Sequence, residues 1–367
     1  TLELSSAASD VYKRQIFTRL LDEYDITSVC TNHDYEPYAI TRDRQITELL
    51  TSKGIPFTSY KDQVIFENND VLKDDGTPYI VYTPYMKRWR SRFNPNTHIV
   101  SYESETRLNN LIADTSFPFP GISDIGFTRS EIEVPSFTIS SNLINSYKIT
   151  RDYPGLPKGT SNLSPHLRFG TVSIRQIIEQ ALGAKEDTFL KELIWREFFM
   201  QILWHYPYTT TRAFKPQYDR IIWRNEPEEF EKWKTGNTGY TMVDAGMREL
   251  NATGLMHNRV RMLVASFLCK HLLIDWRWGE AYFAEKLLDY EMSSNVGNWQ
   301  WAAGSGVDAA PYFRIFNPIT QIDKFDRDRS YCNRWVPEAN GAAMTTPIVD
   351  HKLARERCLS AYKSALT

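Results

Sequence analysis

The spacing of apolar positions divides the chain into two halves of different character. In the first half, short runs alternate between helical and extended periodicity. Ile16 to Tyr24 carries a helical pattern, and Ile26 to Thr31 is a short, apolar, β-branched run. Asp43 to Lys53 is helical again and stops at Gly54; Ile55 to Ser59 is extended, with further strand signal at Val64 and Ile65. Short strands alternating with helices predict a parallel α/β layer. From about Thr97 to Tyr153 the chain is rich in Ser, Pro, Asn and Gly with weak periodicity, which predicts a linker carrying a few helical pieces. Beyond Pro157 a period of 3.6 dominates and predicts helices over Ile174–Leu182, Thr188–Tyr206, Thr241–Leu250, His257–Trp276 and Gly279–Leu288. The expected fold class is α/β plus all-α. It comprises an incomplete Rossmann-like layer over residues 16–100, a linker over 101–155 and an all-helical domain over 156–367. Thr1–Gln15 are polar and without clear periodicity, and are read as a leader that is non-native or disordered.

Composition narrows the class of function without naming it. At 367 residues, two domains are the default. The formal net charge of −2 carries no basic excess, so any nucleic-acid contact has to come from a local patch. Cys30, Cys269, Cys332 and Cys358 are scattered, with neither metal-ligand spacing nor a disulfide framework, which fits reduced thiols in a cytoplasmic protein. The most apolar stretch, Val260 to Ile274, is interrupted by Arg261, Lys270 and His271 and is too short and too charged to span a membrane. One anomaly stands out. Nine of the ten tryptophans lie between Trp195 and Trp335, a density that asks for a reason beyond core packing.

Four motifs carry candidate chemistry. In Gly159–Gly170, Ser164 followed by Pro165 reads as a helix start, with Ser164 as the N-cap and Gly170 closing the turn. Hydroxyls at Thr160, Ser161 and Ser164 beside free backbone N–H groups suit a phosphate or pyrophosphate; a plain capped helix is the other reading. In Lys191–Phe199, helical spacing puts Glu192, Trp195, Arg196 and Phe199 on one face. Such a face could stack on and hydrogen-bond an extrahelical base, or be a core helix with an internal Glu–Arg pair. In Met256–Met262, Asn258 and Met262 share a face, while Arg259 and Arg261 concentrate positive charge that could bind phosphate or form a solvated basic turn. In Asp289–Trp301, two carboxylates and an Asn precede a pair of tryptophans; they could accept from ribose hydroxyls or ring N–H groups, or form a polar loop.

Taken in order, these blocks resemble the photolyase/cryptochrome family. The resemblance also takes in Thr238–Arg248, Asp275–Gly279 and Asn32-His-Asp-Tyr-Glu-Pro-Tyr38, and it is most specific over Trp299–Pro318. It runs from about Ile16 to the C-terminus. It implies an N-terminal α/β antenna domain and a C-terminal helical domain that holds FAD, used in its reduced form, FADH⁻. Within the family the chain is similar to the class I DNA photolyases that repair cyclobutane pyrimidine dimers in DNA.

The resemblance also implies roles. Tyr147 and the run Thr160, Ser161, Asn162, Leu163 and Ser164 would hold the FAD phosphates, with Phe189 beside the cofactor. Asp289, Tyr290 and Glu291 would face its ribose and ring side, and Asn295 would sit beside flavin N5. Glu192 would hydrogen-bond the dimer, Trp195 and Trp301 would wall its pocket, and Asn258 and Met262 would line it. Arg151, Arg196, Arg259 and Arg314 are candidates for the DNA backbone or the pocket edge. Trp299, Trp276 and Trp223 match a chain of tryptophans that relays an electron to the flavin, which would account for the tryptophan density. The partner implied is damaged DNA, with no membrane and no obligate protein partner, in a bacterial cytoplasmic monomer. Relative to the family, the first strand–helix units are absent and Thr1–Gln15 stand in their place. This leaves open whether a folate-type or deazaflavin-type antenna chromophore is bound. A cryptochrome-type light-signalling protein and a (6-4) photoproduct photolyase are the competing readings; Asn295 and the Glu192/Met262 pair favour dimer repair.

Overall fold

The computed structural model describes residues 2–111, 119–340 and 346–367. A helix over Leu2–Glu23 opens the chain and runs without a break through residue 15. Strands β1 (Val29–Asn32) and β2 (Phe57–Tyr60) pair in parallel, Val29 opposite Phe57 and Asn32 opposite Tyr60. The helix Pro37–Ser52 crosses between them and buries Ala39, Ile46, Leu49 and Leu50. It starts six residues before the Asp43 expected from periodicity, because Pro37 needs no N–H partner in the first turn and the Asp34 carboxylate takes the Glu36 N–H. Gly54, at φ +75°, turns the chain back into β2.

Val64 and Ile65 are not in a strand. Both are buried, but the backbone N–H groups of Ile65 and Phe66 donate to the Glu197 carboxylate at 2.8 and 3.2 Å instead of to a sheet neighbour. The same carboxylate accepts from Trp89 Nε1 at 2.6 Å and Tyr85 OH at 3.2 Å. Trp89 and Tyr85 belong to a helix over Tyr82–Arg92 that has no counterpart among the expected elements. Its Tyr82, Tyr85 and Trp89 pack with Phe198 and Ile178 of the helical half in one core. Glu197 therefore fastens residues 65–89 to the helix Thr188–His205.

The helix Ser141–Thr150 is capped by the Ser140 hydroxyl, which accepts from Leu143 N, and it sends Leu143 and Ile144 into that same core. The helix Ile174–Leu182 occupies the residues its periodicity predicts, and Thr188–His205 ends one residue early. Thr241–Thr253 runs three residues past Leu250 and stops at Gly254, φ +68°.

The stretch His257–Trp276 is not one helix. Asn258–Ser266 is α-helical, Phe267–Leu272 widens into π-helical turns, and Leu273 ends the run at φ +53°. A new helix, Trp276–Lys286, starts under a cap from Asp275, whose carboxylate accepts from Arg277 N. Periodicity misses the break because residues 267–272 are buried all round, so no polar face marks a register. The next helix, Met292–Ala303, lies against Trp276–Lys286 through Gly279: a Cβ there would sit 2.1 Å from Trp299 Cη2.

Candidate active site

Three helices, Asn258–Ser266, Trp276–Lys286 and Met292–Ala303, frame an open cleft. Asn258, Met262, Asp289, Tyr290, Glu291, Asn295, Trp299 and Trp301 all line it, so motifs from separate parts of the chain meet at one opening. Asp289 is held there from two sides. Arg261 grips it with Nη2 at 2.8 and 3.1 Å, and the Ser164 hydroxyl donates to Oδ2 at 2.6 Å.

That last bond corrects the reading of Ser164. The residue opens the short helix Ser164–Arg168 but is not its N-cap; Leu163 holds that position without a side-chain bond, and the Ser164 hydroxyl is spent on Asp289. Pro165 stands in the first turn as expected. Ser161 and Leu163 are buried, and Asn162 sits at φ +53°. Among the described residues, the backbone N–H groups of Thr160 to Ser164 have no protein acceptor. Thr160 to Ser164 thus offer a row of donors beside the Asp289 end of the cleft.

Glu291 lines the cleft, yet its carboxylate is already engaged. It caps Met292–Ala303, accepting from Ser293 N and Ser294 N at 2.9 Å each and from the Ser293 hydroxyl. Asn295 is buried, and its Nδ2 donates to the Glu280 carboxylate at 2.9 Å and the Glu280 carbonyl at 3.1 Å. Burial pushes the Glu280 carboxyl up, and the Asn295 bond opposes that shift. Sequence reasoning did not single out Glu280; its only signal is its place directly after the Asp275–Gly279 block.

The second cluster extends from Met262. Arg259 Nη1 lies 3.9 Å from Met262 Sδ, and its guanidinium stands 4.3 Å over the Phe325 ring. Arg259 pairs with Asp152; Asp152 lies 4.0 Å from Arg151, and Arg151 donates to Glu192. Glu192 and Arg196 do not pair, although helical spacing put them on one face. Arg196 donates to the Gln63 carbonyl at 2.7 Å, and burial lowers its pKa. Trp195 stacks on Tyr82 with ring centroids 3.7 Å apart. Tyr147 meets Phe189 edge-on at 5.1 Å, and burial pushes its phenol up to about 12.

Trp276 and Trp299 are buried in one core, and Trp223 packs half-buried at its margin. Trp299 is edge-on to Phe283 at 5.0 Å and to Trp233 at 6.1 Å. Trp223 meets Tyr362 edge-on at 6.1 Å, and Arg277 lies 4.8 Å over the Trp276 ring.

This architecture has known relatives. Residues 189–346 match the FAD-binding domain of DNA photolyase, and residues 7–103 match the DNA photolyase family model, a match that begins inside the stretch read as a leader. A deoxyribodipyrimidine photo-lyase of Alkalihalophilus pseudofirmus is 38% identical over 94% of this chain and 81% of its own length. The chain belongs to the DNA photolyase family. Among solved structures, a class III photolyase from Agrobacterium tumefaciens superposes with a TM-score of 0.84 at 34% identity, over 96% of this chain and 82% of that one. An archaeal photolyase from Sulfolobus tokodaii, solved with two FAD molecules, gives 0.74 at 30% identity, over 96% and 81%. The photolyase fold and the FAD-binding domain are thus common ground between this chain and its relatives, and the cleft lies in the part of the chain that matches the FAD-binding domain. Among the described residues, no helix is long and apolar enough to cross a membrane.

Proposed function

We propose that this photolyase is a deoxyribodipyrimidine photo-lyase that repairs cyclobutane pyrimidine dimers in DNA under blue light, using reduced FAD. The observation that carries the reading is the cleft: Asn258, Met262, Asp289, Asn295 and Trp301, polar and aromatic side chains from separate motifs among them, surround one opening. When bound and reduced, FAD supplies the photoexcited electron that opens the cyclobutane ring and recovers it afterwards.

The protein's part is to hold and orient. The unpaired N–H groups of Thr160 to Ser164 would take the pyrophosphate, with Tyr147 and Phe189 closing that side. Asp289, fixed by Arg261 and Ser164, would accept from ribose or ring N–H groups, flanked by Tyr290 and Glu291. Asn295, its amide nitrogen committed to Glu280, keeps Oδ1 to accept from the N–H on the reduced ring.

Enzymes that act on a base in a duplex, photolyases among them, extrude the lesion at a cost of a few kcal/mol. Trp195, Trp301, Asn258 and Met262 would receive it, and Glu192 would hydrogen-bond a pyrimidine carbonyl. Arg151 and Arg259 would meet backbone phosphates, with Arg196 at the pocket edge. This binding is salt-sensitive, since phosphate contacts release counterions. Trp223, Trp276 and Trp299 would pass an electron inward to restore the reduced cofactor. The free cysteines, three of them buried, fit a reducing cytoplasm, and the protein would act as a monomer.

The decisive experiment is loss of dimers from a dimer-containing oligonucleotide, treated with reduced, FAD-loaded protein in blue light and in the dark. Light-dependent loss establishes the activity. FAD bound with no loss in either condition overturns it in favour of light signalling or a different photoproduct.

A further inference from the structure

Glu192, Arg151, Asp152 and Arg259 form a ladder of alternating charge that ends at Met262 on the cleft wall. It is neutral overall, two carboxylates against two guanidiniums. Its first pair is half-buried: side-chain exposure is 33% for Glu192 and 26% for Arg151. Arg151 closes the helix Ser141–Thr150 as its C-cap, whereas Glu192 lies in the helix Thr188–His205, so the contact joins two elements.

Among the described residues around Glu192, Arg151 supplies the favourable charge. The phenols of Tyr147 and Tyr82 face it, both pushed up by burial and therefore neutral. Asp152 faces it with like charge, and burial raises Glu192 against the pull of Arg151. Its neighbour Lys191 is turned to Asp187 at 2.7 Å. His257, which faces Arg151 and Asp152, is pushed down to about 4 by burial and the nearby arginines, so it adds no charge at neutral pH.

A DNA phosphate competes well for a guanidinium, since its oxygens match the planar fork of donors and the phosphate stays charged at any working pH. Once Arg151 turns to a phosphate, Glu192 is left half-buried beside Asp152. Burial and like charge then both favour the protonated acid. A protonated Glu192 presents an O–H donor, which a base carbonyl can accept, whereas a carboxylate would present only acceptors to it.

We propose that Arg151 is a positioning residue that leaves Glu192 for a backbone phosphate when dimer-containing DNA docks, and so couples DNA binding to uptake of one proton by Glu192. The proton comes from solvent, and no bond other than the Glu192 O–H is formed. The inference rests on the dimer-repair reading above and adds the proton to it.

The test is calorimetric titration of FAD-loaded protein with a dimer-containing duplex, at fixed pH and salt, in buffers of different ionisation enthalpy. The dependence of the observed heat on buffer gives the protons taken up. A net uptake is expected for the wild type. It should be lost in Glu192→Gln, which keeps a donor but cannot titrate, and reduced in Arg151→Ala, where Glu192 is already protonated before DNA arrives. Affinity should fall with rising pH by up to about tenfold per unit while one proton is taken up. Arg151→Ala should also lower the salt slope by about 1. Tight binding and repair with heat independent of buffer would overturn the proton coupling and leave the repair reading standing. Uptake that persists unchanged in Glu192→Gln would overturn it equally. Failure of the wild type to bind dimer-containing DNA would instead sink the repair reading on which the coupling rests.

Discussion

Asn295 turns its amide nitrogen to Glu280, with 2.9 Å between Nδ2 and Oε1, and in doing so fixes which end of its amide faces the cleft. Glu280→Ala removes that anchor and leaves a buried N–H without its side-chain acceptor, at about 1–3 kcal/mol. The amide is then held only by the Glu280 backbone carbonyl, which the substitution keeps, and its orientation is less firmly set. Reduced flavin in this variant should reoxidise in air several-fold faster than in the wild type, followed by the return of the oxidised-flavin absorbance. An unchanged rate would show that Glu280 does not set the Asn295 orientation.

Glu192→Ala should lower the dimer-repair yield per absorbed photon while leaving FAD in place, because Glu192 does not line the flavin cleft. The comparison is repair yield against the flavin-to-protein ratio from absorbance. Full repair by this variant would remove Glu192 from the site.

Trp223→Phe should slow light-driven reduction of oxidised flavin at least tenfold, by analogy with breaking one link of an electron relay, and should spare repair by chemically reduced enzyme. Trp223 is the half-buried member of the proposed chain, whereas Trp276 and Trp299 are buried. Wild-type photoreduction in the variant would mean that the electron enters elsewhere, for instance through the aromatic contacts of Trp299 with Trp233 and Phe283.

Glu197 gives a pH dependence with a definite sign. Burial raises its carboxyl from 4.5 to about 7 in the folded protein. The folded state therefore holds the proton more tightly than the unfolded chain does. The stability this contributes is full below about 4.5 and is lost as pH rises through about 7. The melting temperature should fall across this window, by an amount corresponding to a few kcal/mol. Glu197→Gln should flatten that fall, and Glu197→Ala should destabilise at every pH, because it strands the donors of Ile65, Phe66, Tyr85 and Trp89. Equal pH slopes in wild type and Glu197→Gln would assign the titration to another group.

Gly279→Ala places a methyl group 2.1 Å from Trp299 Cη2 and 2.6 Å from Leu268 Cδ2. Both neighbours are fully packed, so the two helices must part, at about 1–3 kcal/mol. A lower unfolding midpoint together with weaker FAD retention is expected. An unchanged midpoint would show that the contact relaxes without cost.

What the sequence determined by itself was local. Ile174–Leu182 has one buried face and one exposed face, so its period set its limits. Proline and glycine marked ends at Pro165 and Gly54, since the cyclic side chain and the missing side chain each restrict or free the backbone whatever surrounds them. The motif residues Asn258, Met262, Asp289, Asn295 and Trp301 could be named in advance, and all of them line the cleft. The choice of partner was decided only by tertiary structure. Spacing offered Arg196 to Glu192, but the fold turned Arg196 to Gln63 and brought Arg151 across from another helix. Ser164 looked like a cap and became a ligand of Asp289, 125 residues away. Val64 and Ile65 looked like a strand because they are apolar, yet the N–H groups of Ile65 and Phe66 are taken by Glu197. The π-helical turns over Phe267–Leu272 were hidden because a segment buried on every side has no polar face to give it a period. Periodicity records which way a residue faces. A hydrogen bond or ion pair between distant residues is selected by the free energy of the whole packed structure, and no local pattern carries that information.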